Sequence, residues 1–447
     1  MLEYLDITRL VIIAAAGIVV MLLLTGGQRG RWLLFCVAVA STGVGYRSIH
    51  LGQWSLLVPV EVILWLLWGS TLLSPIRTHT PLTMYLLVIW AILRASWSMF
   101  TTSNWDSPLA WTLPLIVCIP AFQVTAIFVK GLGEARTVLK IVAWVSFVVA
   151  LLGILEYLFP SVESRFPQLF GSTAGVTQEG FRRAAFSFFG YTAAPIIAWG
   201  TVITYNFLFY VRGTLTRIAM AGILFVDLYA IVISGQRSTW FALAAALVVI
   251  GVKHRARGQL VNVLIASGLA VYGSFMFVRA MTVISLIQTG KTSDTSNLSR
   301  ISLWEFGWSQ LIQNPVFGAG YGLKLAHNGV LEVGKALGAI PAFIMIILLV
   351  QILWKVALPL FAERSIIAPD IYWSVLGITI VVYMQVLVET VLATPAFAAA
   401  HWLMLAMAWH LPAILNVRLQ SQYEVRAIRL RQRLKEMFQP QRVDFSS

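Results

Sequence analysis

Ala339–Leu358 reads AIPAFIMIILLVQILWKVAL and decides the fold class. Its single charge, Lys355, lies near the end of the stretch. At about 1.5 Å rise per residue, a helix of this length crosses the roughly 30 Å hydrocarbon core of a bilayer. A continuous apolar run also argues against a transmembrane barrel, because barrel strands alternate in polarity. The stretch is therefore predicted to be a membrane-spanning helix.

The whole chain repeats this pattern. Of its 447 residues, 59% are hydrophobic and 11% are charged, and the mean hydropathy is +0.82; soluble proteins carry about 25% charged residues. We predict an all-α, polytopic membrane bundle of 12 or 13 transmembrane helices, each closing its own backbone hydrogen bonds. The other candidate spans are Ile7–Leu24, Trp32–Tyr46, Leu51–Leu73, Met84–Trp97, Leu109–Val129, Val138–Phe159, Thr192–Tyr210, Leu215–Ser234, Thr239–Val252, Leu260–Phe277, Tyr372–Leu392 and Ala396–Leu415.

Lysine and arginine collect in every second connection between the candidate spans. Basic residues mark cytoplasmic loops, so the two long loops of the opposite set, 160–191 and 279–338, are predicted to face the outside. The basic set comprises Arg29, Arg31, Arg77, Lys130, Arg136, Lys140, Arg212, Arg217, Lys253, Arg255, Arg257, Lys355 and Arg364.

The chain is expected to have two parts. Residues 1–415 form the bundle with its loops, and residues 416–447 form a cytoplasmic tail. Seven basic residues lie between Arg418 and Arg442, among apolar residues at three- and four-residue spacing, which predicts a basic amphipathic helix on the inner leaflet. The net charge of +14 is therefore attributed to topology and to contact with anionic membrane lipids, and no nucleic-acid partner is expected.

The second long loop carries the most informative sequence, NLSRISLWEFGWSQLIQNPVFGAGYGLKLAHNGVLEVGKALG over Asn297–Gly338. Apolar residues recur at helical spacing between Ile301 and Leu311, which predicts an amphipathic helix ending near Pro315. Arg300 lies in its first turn, where a cation opposes the helix macrodipole unless an anion binds at the same place. The alternative role for Arg300 is contact with a lipid phosphate.

Arg237 has a similar setting in the sequence SGQRST at 234–239, a tight turn between two candidate spans that is predicted to be external. It also precedes a helix N-terminus, which favours negative charge. Arginine donates bidentately to phosphate oxygens and stays charged at any working pH. Arg237 and Arg300 together are therefore predicted to bind a diphosphate.

His327 is the one histidine of six that lies in a long predicted external loop. An imidazole with an ordinary pKa near 6.5 can accept a proton from a hydroxyl group at neutral pH, so His327 is the candidate catalytic base; a structural loop histidine is the alternative. Arg182 and Arg183 are candidates for contact with phosphate or sugar. Glu389 either orients a catalytic group or pairs with an arginine.

The predicted external segments contain few acidic residues, and these are scattered. No acidic pair has the spacing of a divalent-metal site, and the sequence has neither HExxH nor a P-loop. Any transfer reaction there is therefore expected to need no metal and no cofactor, with arginines stabilising negative charge.

These motifs, in this order, resemble the O-antigen ligase and O-antigen polymerase superfamily. The resemblance runs from about Arg183 to Glu389. Its motifs are Ser-Gly-Gln-Arg-Ser at 234–238, Ser-Arg-Ile-Ser-Leu-Trp at 299–304, Asn-Pro-Val-Phe-Gly-Ala-Gly-Tyr-Gly at 314–322, and His327-Asn328 followed after nine residues by Gly338.

The resemblance implies an inverting glycosyltransferase of the bacterial inner membrane with its active site on the periplasmic face. It would move a glycan from undecaprenyl diphosphate to a sugar hydroxyl, either on lipid A-core or on a growing glycan. By position, Arg237 and Arg300 would bind the donor diphosphate and His327 would activate the acceptor. Pro341 departs from the ligase pattern, which has Gly, Thr or Tyr there, and so favours a polymerase or another polysaccharide ligase.

A transporter or flippase of lipid-linked sugars is the alternative function. Such proteins place charged or polar groups at mid-bilayer, often on broken helices. The candidate spans are nearly free of charge, with Glu61 and Arg94 as exceptions, and the polar motifs gather outside them. This distribution favours the transferase.

Overall fold

The computed structural model describes residues 26–44, 49–51, 54–57, 59–71, 80–101, 112–159, 177–178, 181–182, 193–254, 295–320, 326–361, 368–389, 391–392 and 398–415. The helices of these segments are α1 (Gly27–Ala40), α2 (Pro59–Thr71), α3 (Leu82–Thr101), α4 (Cys118–Phe128), α5 (Leu132–Leu158), α6 (Ala193–Leu208), α7 (Thr214–Ser234), α8 (Arg237–Lys253), α9 (Thr295–Gln313), α10 (Gly329–Leu337), α11 (Ala339–Phe361), α12 (Pro369–Val388) and α13 (Ala398–Leu415).

Helices build the molecule, as predicted. The described part of the chain also has a 3-10 helix at Ser41–Val44 and two short antiparallel strand pairs, β1 (Ile49–Leu51) with β2 (Trp54–Leu57) and β3 (Thr177–Gln178) with β4 (Phe181–Arg182). The first pair corrects the predicted span Leu51–Leu73, because its first residues are extended and its helix begins only at Pro59. The sequence IHLGQWSLL at 49–57 is apolar enough for part of a span, yet its tryptophan and glycine also suit a hairpin.

Six helices in the described part of the chain are long and apolar enough to cross a membrane: α3, α5, α7, α11, α12 and α13. The apolar helices α2, α6 and α8 are shorter. The candidate spans Ile7–Leu24 and Leu260–Phe277 lie outside the described residues, as does the tail 416–447. The total of 12 or 13 helices and the division at residue 415 therefore stay predictions.

The bundle has inner and outer helices. Every residue of α6 from Ala193 to Phe207 is buried, and most of α12 and α13 is buried too. The outer helices α3, α5, α7 and α11 expose large apolar side chains such as Leu93, Trp144 and Phe343, which is the surface expected to face lipid.

Small and polar residues allow the inner helices to pack closely. A Cβ atom at Gly200 of α6 would lie 2.0 Å from Cβ of Ser146 on α5, so only glycine fits between the two helices. The hydroxyl of Ser146 donates to Asp227 of α7 at 2.9 Å. Asp227 is fully buried and was not among the charged residues noticed in the candidate spans.

Helices α8 and α12 run antiparallel, which defines the two ends of the bundle. Ser238, at the start of α8, contacts Glu389 just after α12, whereas Lys253, at the end of α8, lies over the ring of Trp373 at the start of α12. We call the end of the bundle at which α12 ends the Glu389 end. The opposite end, at which α12 begins, is the Asp370 end, named after the acidic residue in the first turn of α12.

The second long loop holds two helices in its described parts. The predicted amphipathic helix is α9, which ends at Gln313, just before the expected Pro315. It begins at Thr295, so Arg300 is its sixth residue and lies in the second turn, not in the first turn as predicted. The second helix, α10, is largely buried and packs against α3, α9, α11 and α12. By contrast, the loop 160–191 is described only at its two short strands.

Candidate functional site

His327 and Glu389 meet at the Glu389 end of the bundle. Nδ1 of the imidazole lies 3.3 Å from Oε2 of the carboxylate, and the two side chains are 34% and 28% exposed. Glu389 ends α12 with an extended backbone and donates its N–H to the carbonyl of Gln385. The helix end therefore holds the carboxylate beside a half-buried imidazole that solvent or a ligand can reach.

Ser238 joins this pair from α8. Its hydroxyl donates to Oε1 of Glu389 at 3.3 Å, so the two carboxylate oxygens contact residues from different parts of the chain. Arg237 is the residue before Ser238 and the first residue of α8. The backbone of Arg237 and the helix N-terminus thus lie next to the Glu389 carboxylate.

The turn before α8 is closed by its own hydrogen bonds. Gly235 ends α7 in the left-handed conformation with φ of 63°, a conformation that glycine adopts without steric cost. The hydroxyl of Ser234 accepts from the N–H of Gln236, and that of Thr239 donates to the side-chain oxygen of Gln236. This short sequence therefore sets the direction in which α8 begins.

Helix α9 reaches the site through Trp304. Its indole Nε1 donates to the carbonyl of His327 at 3.1 Å. Arg300 precedes Trp304 by four residues in the same helix, about one turn or 5.4 Å along the axis. The backbone position of Arg300 is therefore one turn away from the residue that contacts His327.

Helix α10 begins directly after His327. Asn328 caps it by accepting from the N–H of Leu331 at 2.9 Å, the expected role of an N-cap asparagine. The side-chain amide of Asn328 also donates to the carbonyl of Leu387 at 2.7 Å, near the end of α12. One side chain thus joins the start of α10 to the segment that carries Glu389.

The structure brings three of the predicted positions into one region, His327, Glu389 and the backbone of Arg237. The side chains of Arg237, Arg300 and Arg182 lie outside the part of the chain that the structure describes, and so does Arg183 entirely. The proposed roles of these arginines stay predictions.

Sequence reasoning missed the groups that surround His327. Ser238 and Trp304 lie within the quoted motifs, but nothing in those motifs indicates that Ser238 contacts Glu389 or that Trp304 contacts His327. Asn328 had a local signal, since asparagine before a helix is a common N-cap.

Within the described ranges, no three His, Cys, Asp or Glu side chains group together as metal ligands. The site instead brings together an imidazole, a carboxylate and a hydroxyl group.

Comparison with known families agrees with the motifs. Residues 222–336 match the family model described as O-antigen ligase. The matched segment includes α8, α9 and nearly all of α10, and with them Arg237, Arg300 and His327; Glu389 lies beyond it. No curated protein matches the chain. The predicted resemblance is confirmed over this segment, which is similar to the O-antigen ligase family.

Proposed function

We propose that this protein is a metal-independent, inverting glycosyltransferase. It moves a glycan from undecaprenyl diphosphate to a sugar hydroxyl at the periplasmic face of the bacterial inner membrane. The observation that carries the proposal is the contact between His327 and Glu389 beside the N-terminus of α8. An imidazole that is oriented by a carboxylate is a suitable general base for a hydroxyl group.

An ionised carboxylate can only accept hydrogen bonds. In the proposed mechanism, Nδ1 therefore donates to Glu389, and Nε2 accepts the proton of the acceptor hydroxyl. The hydroxyl oxygen bonds to the anomeric carbon as the bond from that carbon to the diphosphate oxygen breaks. The configuration inverts, and undecaprenyl diphosphate leaves as an anion. Glu389 stabilises the imidazolium that forms.

Negative charge on the leaving diphosphate must also be stabilised. The first turn of α8 offers backbone N–H groups and the positive end of a helix dipole, a common anion-binding arrangement. Arg237 is the first residue of this turn, and Arg300 is one turn from Trp304. We assign both arginines to the diphosphate, and Arg182 and Arg183 to contact with phosphate or sugar of the substrate.

The distribution of basic residues supports an outward-facing site. Arg136 pairs with Asp370 at 2.7 Å, and Lys253 lies over Trp373. Both belong to the set predicted to be cytoplasmic, and both lie at the Asp370 end. His327 lies at the opposite end, which is the periplasmic end if the positive-inside rule holds.

A deletion strain tests the function. We expect loss of one surface glycan and accumulation of its lipid-linked donor, and complementation by the wild type but not by Arg237→Ala, Arg300→Ala or His327→Ala. The matched control is Arg217→Ala, because Arg217 lies at the far end of α7 and donates to the carbonyl of Val211. Full complementation by all three site variants would contradict the assigned roles.

The missing product also identifies the acceptor. Loss of all long glycan from lipid A-core indicates a ligase, whereas single repeat units on that core indicate a polymerase. Purified protein in detergent separates transfer from transport, because a micelle has no compartments. Donor consumption with release of undecaprenyl diphosphate supports the transferase, and no consumption with any acceptor supports the flippase.

A further inference from the structure

We infer that Glu332 is a positioning residue for His327, acting through the backbone rather than by touching the substrate. The inference rests on the proposed function. Oε2 of Glu332 accepts from the N–H of Ala326, the residue before His327, at 2.7 Å. Oε1 pairs with Nζ of Lys335 at 2.6 Å. Glu332 is 2% exposed and Lys335 is 1% exposed, so the pair lies in the protein interior next to the site.

The backbone that Glu332 holds is in an unusual conformation. Among the described residues other than glycine, His327 alone has a positive φ, 49°. A left-handed backbone is disfavoured for residues with a Cβ atom and persists where the surroundings determine it. The loop needs specific contacts to keep His327 in this conformation.

Three contacts from three helices surround this residue. Glu332 of α10 accepts from the N–H that precedes His327, and Trp304 of α9 donates to the carbonyl of His327. Asn328 donates to the carbonyl of Leu387 in α12. The first two contacts hold backbone groups on either side of the His327 Cα, and the third ties the side chain of the next residue to α12. Together they set the direction of the imidazole toward Glu389.

Stability alone does not explain a buried ion pair. Burying two charges costs much of the energy that their attraction returns, and apolar residues of the same volume are often equally stable in their place. A carboxylate, however, is a stronger hydrogen-bond acceptor than a neutral group. Lys335 pairs with Glu332 in the interior, where the carboxylate also accepts from the N–H of Ala326.

Two double variants test separately the hydrogen-bond acceptor that Glu332 offers to Ala326 and the charge of the Glu332–Lys335 pair. Glu332→Gln with Lys335→Met keeps an oxygen for Ala326 and removes both charges. Glu332→Met with Lys335→Met has nearly the same volume and removes the oxygen as well. Removing the charges together avoids leaving one of them buried and unpaired. The assay uses purified protein, undecaprenyl-diphosphate-linked glycan from the parent strain, and the acceptor found with the deletion strain.

We expect the Gln/Met variant to keep kcat within about threefold of the wild type, because a neutral acceptor retains roughly half the hydrogen-bond strength. The Met/Met variant should lose about 10- to 100-fold in kcat, the scale of a misplacement near 1 Å. The KM for the donor should not change in either variant. Equal kcat in both variants, or a loss confined to KM, overturns the inference.

A single variant keeps the test decisive if the Met/Met protein fails to accumulate. Glu332→Asp keeps the charge beside Lys335 but shortens the reach to Ala326 by one carbon. We expect a lower kcat with unchanged KM, and an unchanged kcat contradicts the inference. His327→Ala distinguishes the two proposals: if it is active, the proposed function fails, whereas if it is inactive and every Glu332 variant is unaffected, only the role of Glu332 fails.

Discussion

The two ends of the bundle use similar polar groups in different ways. At the Asp370 end, His254 is 4% exposed, stacks on Phe209 with ring centroids 4.2 Å apart, and contacts the side chain of Asn206 at 3.2 Å. At the Glu389 end, His327 is 34% exposed, and its contact with Glu389 uses Nδ1 alone. A histidine that packs against rings and amides is structural, whereas one that leaves a ring nitrogen accessible can do chemistry.

The neighbouring carboxylates show the same contrast. Asp370 pairs with Arg136, and its carbonyl accepts from the amide of Asn206 at 2.6 Å, so it joins α5, α6 and α12. Glu389 instead contacts a histidine and a serine hydroxyl. The charge of Asp370 is balanced by a permanent cation, while that of Glu389 faces a group that can gain and lose a proton. The comparison predicts stability effects at one end and activity effects at the other.

The largest effect is expected from His327→Ala. Removing a general base costs typically 10²- to 10⁴-fold in rate, and the protein should still accumulate in the membrane at the wild-type level. Donor turnover by purified protein measures the loss. The matched variant at the other end, His254→Gln, should lower the unfolding temperature and leave kcat unchanged; a larger kcat loss in His254→Gln than in His327→Ala would reverse the comparison.

Glu389→Gln should have the next largest effect. A hydrogen bond to a charged group contributes about 1.5–3 kcal/mol, which corresponds to roughly 10- to 150-fold in kcat. The amide keeps the shape of the side chain but cannot stabilise the imidazolium. Steady-state kinetics with donor at saturation measure the change. A kcat equal to that of the wild type would show that the carboxylate has no part in orienting His327.

Gly200→Val tests the inner packing that both ends share. The new side chain would collide with Ser146, since even a Cβ atom would lie 2.0 Å from it. Overpacking of this kind typically destabilises by about 1–3 kcal/mol. Thermal unfolding in detergent should show the loss, with Gly222→Val as the control, because a Cβ atom at Gly222 meets nothing within 4 Å. Equal unfolding temperatures for the two variants would contradict the packing argument.

Arg136→Ala should have the smallest effect. Its side chain is 41% exposed, and ion pairs near the surface contribute about 0.2–1 kcal/mol. We expect a slightly lower unfolding temperature, with kcat and KM unchanged. A marked loss of transfer would mean that the Asp370 end takes part in the reaction.

The motifs around the site could be predicted from the sequence because each is local. A tight turn, a helix start and an amphipathic repeat are encoded by neighbouring residues. The structure has the turn at Gly235, the start of α8 and the end of α9 where these patterns placed them, whereas α9 begins earlier than predicted. The hairpin at Ile49–Leu57 was missed, because hydropathy alone does not separate a short apolar strand from part of a helix.

The contacts within the site could not be predicted in the same way. Ser238 and Glu389 are separated by 151 positions, and His327 and Glu389 by 62. No local periodicity links residues so far apart. Glu332 was overlooked for the same reason, since an acidic residue in the first turn of a helix is ordinary until its partner Ala326 and its burial are known.

By itself, the sequence determined the helical class, the apolar character of the spans and the similarity of segment 222–336 to the O-antigen ligase family, because these depend on composition and on short-range order. Only the tertiary structure decided that the imidazole of His327 points to Glu389 and that a buried ion pair holds its backbone. The reason is physical: side chains meet where antiparallel helices end, and the packing of α6, α8, α10 and α12 sets which ends coincide.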